Sequence, residues 1–187
     1  IDYGPYGWID AYDPDWTPNT TDAAGRRYRF GWQPRVAYWN LGQLARALSP
    51  LFADPAPLQA GLARFANAYT AADRDSTARK LGLADCRDED VDLLRDLHRL
   101  LHAHEVDMTL WFRALADVDP QAPSLAPLEA AFYDAEKRSV GEDALNDWLA
   151  RYAARLREDP LPVCRISMAC TSHSTQNVCR CACPPTS

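Results

Sequence analysis

The chain has 187 residues, 47% of them hydrophobic and 25% charged, which is the balance of one ordinary globular domain. Its net charge of −6 disfavours nucleic acid and anionic membranes as partners, because both require a basic binding surface. No apolar run approaches the roughly 20 residues that a membrane-spanning helix needs. No signal peptide is recognisable, and a composition rich in Ala, Arg and Asp predicts a bacterial cytoplasmic protein. The sequence leaves the oligomeric state open.

Residues 1–35 are predicted to be irregular, because prolines and glycines interrupt every stretch long enough for a helix. Three acids in this region, Asp10, Asp13 and Asp15, allow two interpretations. They either contribute to a second metal site or form turns in a solvated loop. The loop is favoured, because the spacing of a Ca²⁺-binding loop is absent.

Arginines alternate with aromatic residues from Arg26 to Phe30, a pattern that predicts a short strand with one charged face. Together with Arg35, these arginines either bind a phosphate group or pair with the nearby acids. Pairing or solvent exposure is favoured, because arginines in an acidic chain more often take those roles.

Residues 36–159 are predicted to form a body of five or six amphipathic helices. The first two predicted helices run from Pro34 to about Pro50 and from Pro57 through Tyr69, and a brief turn follows from about Ser76 to Gly82. A third helix is predicted after Asp88, and a fourth is capped by Asp107. A fifth runs from Leu128 to Lys137 and is ended by Gly141, and the last continues through Leu156. We expect exposed apolar surface near the first helix and around Tyr3, Tyr6 and Trp8.

Histidines cluster near the end of the third predicted helix, at His98, His102 and His104. His98 and His102 are four residues apart, which is the spacing of two metal ligands on one helix face. The flanking residues are charged and no third ligand is evident. Solvent-exposed histidines are therefore the favoured interpretation.

The first residues carry the most specific pattern of the chain. Ile1-Asp2-Tyr3-Gly4 is the order apolar, Asp, aromatic, Gly that the metal-binding segment of kinase-like folds uses. The longer string Ile-Asp-Tyr-Gly-Pro-Tyr-Gly-Trp-Ile-Asp-Ala-Tyr-Asp-Pro resembles the signature of the SelO family. The resemblance continues through Gly25-Arg26-Arg27-Tyr28-Arg29-Phe30 and Trp39-Asn40-Leu41 to Leu51, and more weakly to about Asp159.

This resemblance implies a mainly α fold: the helical, C-terminal lobe of a protein-kinase-like fold, incomplete, with residues 1–35 as an activation-segment-like stretch. It implies transfer of AMP from ATP to Ser, Thr or Tyr hydroxyls of other proteins. Asp2 matches the family position that binds the Mg²⁺ or Mn²⁺ ion carrying ATP, so Asp2 is the expected metal and cofactor ligand.

No catalytic residue is assigned in this chain. In the family, the glycine-rich loop, the lysine, the glutamate and the catalytic Asp-Asn pair all precede this motif. We therefore expect a fragment of the enzyme that is inactive alone. The alternative is a helical interaction module without catalysis, or the remnant of a pseudogene.

Residues 160–187 differ in composition from the body and hold five of the six cysteines. These are Cys164, Cys170, Cys179, Cys181 and Cys183. Zinc binding with His173, redox chemistry, a plain disordered tail and a frameshifted end are the alternatives. The Cys-x-Cys-x-Cys spacing fits structural zinc poorly, and a disordered or out-of-frame tail is favoured.

Overall fold

The computed structural model of the chain describes residues 9–17 and 24–159, and these residues are mainly helical. The α-helices are α1 (Gln33–Leu48), α2 (Ala56–Leu81), α3 (Asp88–Ala103), α4 (Met108–Ala114) and α5 (Ala135–Glu158). Short 3₁₀ turns cover Phe30–Trp32, Ser49–Leu51, Leu115–Asp117 and Ala126–Ala131. The mainly α prediction is confirmed. No described helix is long and apolar enough to cross a membrane.

The core lies between α3 and α5 and takes in α4 and the end of α2. Leu93, Leu97 and Leu101 form the buried stripe of α3, as their spacing predicts. Trp148 of α5 packs against this stripe with no exposed surface and stacks on Tyr152, with ring centroids 5.2 Å apart. The apolar faces of α3 and α5 therefore hold the body together.

The predicted start of the fourth helix is confirmed by its capping geometry, whereas Gly82, predicted to end a brief turn, ends the long helix α2. Asp107 accepts a hydrogen bond from the Leu110 backbone N–H at 2.9 Å, which satisfies a free donor in the first turn of α4. Gly82 ends α2 in the left-handed conformation, with a φ of 67° that glycine adopts without strain.

The prediction of a separate turn beginning at Ser76 is wrong, because α2 continues without a break to Leu81. The charged residues after Tyr69 are mostly good helix formers. The last turns of α2 also bury Thr77, Ala78 and Leu81 in the core. Tertiary packing therefore extends the helix past the point where its apolar stripe ends.

The prediction that Gly141 ends a helix is also wrong. Residues Ala126–Ala131 form a 3₁₀ turn, and α5 starts at Ala135 and runs through Gly141. Asp134 starts α5 by accepting hydrogen bonds from the N–H groups of Glu136 and Lys137, at 2.8 and 3.2 Å. Gly141 is needed because the imidazole ring of His104 occupies the space of a Cβ atom.

We expect Gly141→Ala to lower the free energy of unfolding by about 1 kcal/mol, because the cost of moving His104 exceeds the gain in helix propensity. Gly61→Ala is the matched control: Gly61 lies within α2 and has nothing within 4 Å of a Cβ. Gly61→Ala should raise the free energy of unfolding by up to about 1 kcal/mol. Urea denaturation followed by circular dichroism measures both. Equal stabilisation of the two variants would contradict the role given to His104.

Helix α1 and the first two-thirds of α2 pack on each other outside this core. No residue from 37 to 76 is buried, and Tyr38, Trp39 and Leu44 expose about half of their surface. The predicted exposed apolar surface near the first helix is confirmed. Tyr3, Tyr6 and Trp8 lie outside the described residues.

Candidate functional site

Asp2, the predicted metal ligand, lies outside the described residues, so the candidate site is described from the segment that follows it. Residues 9–17 run along the body near the end of α3. Ala11 forms an isolated antiparallel bridge with Asp107, and the Tyr12 N–H donates to the Val106 carbonyl at 2.9 Å. The segment is therefore joined to the body by backbone pairing at residues 11 and 12.

Tyr12 is the main anchor of this segment. Its side chain is 9% exposed and lies between two rings. It stacks on His98 with centroids 4.9 Å apart and planes 14° apart, and it meets Phe30 edge-on at 6.1 Å. Burial, followed by the charge of Asp13, raises the pKa of Tyr12, so its hydroxyl stays protonated.

The histidines do not share one environment, and the exposed interpretation is wrong for His98. Its ring is mostly covered by Tyr12, and its Nε2 atom has no hydrogen-bond partner among the described residues. Burial, followed by repulsion from Lys80, lowers the pKa of His98 to about 4. The exposed interpretation failed because residues 9–17 cover the polar face of α3.

His102 and His104 take different roles from His98. His102 is half-exposed, with its Nδ1 atom 3.2 Å from the Tyr12 carbonyl oxygen and 4.0 Å from an Asp13 carboxylate oxygen. His104 packs on Gly141 and is partly buried, so the exposed interpretation fails for it too. Among residues 9–17 and 24–159, no three His, Cys, Asp or Glu side chains are placed to hold a metal ion.

The acids of the segment form turns and ion pairs, as the loop interpretation predicts. An Asp13 carboxylate oxygen accepts the Asp15 N–H at 2.8 Å, and Asp15 pairs with Arg29 at 2.9 Å. The Phe30 and Gly31 N–H groups donate to Trp16 and Pro14. These contacts tie the segment to the start of α1.

The strand predicted from Arg26 to Phe30 is wrong, because this stretch forms turns. Arg26 has a φ of 43°, and the Arg29 N–H donates back to its carbonyl at 3.1 Å. The Arg29 guanidinium lies 3.6 Å from the Trp32 ring centroid, and that of Arg27 lies 3.7 Å from the Trp39 centroid. The paired interpretation is confirmed for Arg29 by its Asp15 contact.

Stability should fall in acid because folding keeps His98 neutral. The pKa of His98 is about 4 in the fold and 6.5 in the unfolded chain, so its contribution is complete above pH 6.5 and is lost as the pH falls towards 4. The loss should reach about 3 kcal/mol at pH 4. Denaturant titrations at pH 7, 5.5 and 4.5 should give a shallower pH dependence for His98→Phe, which keeps a ring against Tyr12.

The half-exposed neighbour provides the control for this prediction. The part of the pH dependence that His98 contributes should persist in His102→Gln, because this variant leaves His98 stacked on Tyr12. Identical slopes for the unmodified chain and His98→Phe would show that other groups, not His98, set the acid sensitivity.

Cys86, the one cysteine among the described residues, is partly buried near Arg74. Burial is the largest influence on its thiol and raises its pKa above the ordinary value, which makes the thiolate scarce at neutral pH. The five tail cysteines and His173 lie outside the described residues.

Comparison with known proteins identifies the family. The sequence model of the family described as protein adenylyltransferase SelO matches residues 1–180. The chain therefore belongs to the SelO family, whose members are named as protein nucleotidyltransferases.

Similar proteins come from several Xanthomonas species, and each is named protein nucleotidyltransferase YdiU. The protein of X. axonopodis pv. citri is 64% identical over 162 residues, which is 87% of this chain and 31% of that protein. The X. euvesicatoria protein is 65% identical over 161 residues, 86% of this chain and 31% of its own length. The chain thus spans about a third of the length of these relatives.

Sequence reasoning missed the anchor formed by Tyr12 and His98. A signal for it was present, because four-residue spacing places His98 and His102 on one face of α3. That face contacts residues 9–17 of the same chain, through Tyr12. Local spacing identified the face without identifying what covers it.

Proposed function

We propose that this chain provides the Asp2 motif and the helical body of a protein adenylyltransferase. The enzyme transfers AMP from ATP to Ser, Thr or Tyr hydroxyls of other proteins in the bacterial cytoplasm. The observation that carries the proposal is the SelO family match over residues 1–180, which includes the Asp2 motif. In this proposal the helices form the C-terminal lobe of a kinase-like fold.

The described residues support a positioning role for the body. Tyr12 follows Asp2 by ten residues and is fixed by Val106, His98 and Phe30. A chain of ten residues extends at most about 35 Å, so this anchor limits where Asp2 can lie. Residues 9–17 are in turn tied, through the ion pair of Asp15 with Arg29, to the turn that precedes α1.

A divalent cation, Mg²⁺ or Mn²⁺, would neutralise the phosphate charges of ATP when bound, with Asp2 as one ligand. Among the residues that the structure describes, no three His, Cys, Asp or Glu side chains are placed to hold the ion by themselves. In the reaction, the acceptor oxygen forms a bond to the α-phosphorus. The bond from that phosphorus to pyrophosphate breaks, and the hydroxyl proton passes to a general base.

Two preparations test the proposal with ATP labelled at the α-phosphate. The isolated 187-residue chain should transfer no AMP and should bind Mg²⁺–ATP weakly at best. A chimera in which residues 1–159 replace the matching third of the X. axonopodis protein should transfer AMP to protein substrates. Transfer by the isolated chain would contradict its proposed inactivity. A folded but inactive chimera would contradict the proposed function.

The second candidate is a helical interaction module without catalysis, or a pseudogene remnant. The exposed apolar surface of α1 favours an interaction role. The genomic DNA upstream of the coding sequence separates the candidates. An in-frame glycine-rich loop, lysine strand and Asp-Asn catalytic loop support the enzyme, and their absence supports the module.

A further inference from the structure

Helices α1 and α2 form a hairpin that has almost no core of its own. Val36 is the one buried residue of α1, and the buried residues of α2 lie in its last five positions. Among the described residues, six of the nine large hydrophobic side chains that are exposed lie between residues 38 and 69. They are Tyr38, Trp39, Leu44, Leu51, Phe52 and Tyr69. We refer to these six side chains as the hairpin surface.

The hairpin also differs in charge from the rest of the chain. Residues 33–81, which span α1 and α2, contain six basic residues and three acids, although the whole chain has a net charge of −6. Arg46 is exposed in the last turn of α1. Arg27 stacks on Trp39, which itself belongs to the hairpin surface. The surface is thus apolar, aromatic and basic at the same time.

A hairpin of this kind needs a partner to be stable. Helices in proteins are stabilised mainly by packing an apolar face, and this contribution is small for α1 and the first two-thirds of α2, where Val36 is the one buried side chain. An exposed patch of several large apolar side chains is typical of a surface that a partner covers. The matched relatives are about three times as long as the matching region, so each has a large additional polypeptide available for such packing.

We propose that the hairpin surface is an internal interface. Its occupant is the part of the full-length polypeptide that the relatives possess outside the third matched by this chain. That part packs apolar side chains on Trp39 and Leu44 and places carboxylates opposite Arg46 and Arg64. This proposal concerns packing alone and does not depend on the proposed AMP transfer.

The test compares the same substitutions in the 187-residue chain and in the chimera with the X. axonopodis protein. Leu44→Ser and Val140→Ser both replace an exposed aliphatic side chain within a helix, but Val140 lies on α5, away from the hairpin. In the isolated chain, both should change the melting temperature by less than about 2 °C. In the chimera, Leu44→Ser should lower it by about 5 °C or more, and Val140→Ser should leave it unchanged.

A charge reversal tests the basic character of the interface. Arg46→Glu and Arg113→Glu both place an acid in the last turn of a helix, so their effects on the helix dipole match. In the chimera, Arg46→Glu should lower the melting temperature more than Arg113→Glu does. Equal shifts would overturn the proposed pairing with carboxylates.

Two results would overturn the proposal as a whole. One is an equally small change in melting temperature when Leu44→Ser is made in the isolated chain and in the chimera. The other is a stable dimer of the isolated chain, seen by light scattering, that Leu44→Ser dissociates, since a second copy would then be the occupant. Neither result depends on catalysis, so an inactive chimera leaves this test intact.

Discussion

Replacing Trp148 by Ala should lower the free energy of unfolding by about 4 kcal/mol and leave little folded protein at 37 °C. The Trp148 side chain has no exposed surface and contacts the rings of Tyr152 and Trp111, at centroid distances of 5.2 and 6.0 Å. Removing a buried Trp leaves a cavity that costs about 3–5 kcal/mol. The substitution also removes the hydrogen bond that the indole N–H donates to the buried Leu93 carbonyl at 2.8 Å.

The matched variants for this prediction are Trp148→Phe and Trp39→Ala. Trp148→Phe keeps most of the ring packing and loses the hydrogen bond, so it should cost about 1–2 kcal/mol. Trp39→Ala removes the same side chain from an exposed position and should cost less than about 1 kcal/mol in the isolated chain. Urea denaturation followed by far-ultraviolet circular dichroism measures all three. Similar losses at positions 39 and 148 would contradict the described core.

Replacing Asp90 by Ala should cost about 3–5 kcal/mol, because it leaves the buried guanidinium of Arg155 without its main partner. Asp90 is 1% exposed and accepts hydrogen bonds from Arg155 Nε at 2.8 Å and from Nη2 at 3.2 Å. It also accepts the Arg87 N–H at 2.8 Å, which caps α3. One carboxylate therefore joins the start of α3 to the last turn of α5.

A double variant separates the ion pair from the cap. Asp90→Ala with Arg155→Met removes both charges and should recover most of the loss, since a buried pair replaced by apolar residues is often close to neutral. The unrecovered part, about 1 kcal/mol or more, combines the lost cap on Arg87 with the lost pairing of Arg155 to Asp85 at 3.0 Å and to Asp159 at 3.6 Å. The measurement is a double-mutant cycle from denaturant titrations. Additive losses in the cycle would contradict the described pairing.

The parts of the fold that local pattern decides could be predicted from the sequence. The leucines of α3, the Asp107 cap and the Gly82 end each depend on residues within one or two turns. The role of Gly141 could not be predicted, because its cause is His104, which lies far away in the chain. The continuation of α2 past Ser76 likewise depends on burial against other helices.

For the candidate site too, local chemistry could be predicted from the sequence, whereas contacts between distant residues could not. Asp2 was assigned by family resemblance, and its placement remains a prediction because it lies outside the described residues. The turn-forming role of Asp13 and the pairing of Arg29 followed from local chemistry. The Tyr12 anchor brings together residues 12, 30, 98 and 106, and no local spacing relates positions so distant in the chain.

The most direct test of the account is the activity of Asp2→Asn in the chimera with the X. axonopodis protein. Asp10→Asn is the matched control, since it removes an acid eight residues further along the same segment. We predict that Asp2→Asn reduces AMP transfer by about 100-fold or more, because a metal ligand is lost, while Asp10→Asn changes it by less than about threefold. Unchanged activity of Asp2→Asn, or equal losses for both variants, would contradict the assignment of Asp2 as the metal ligand.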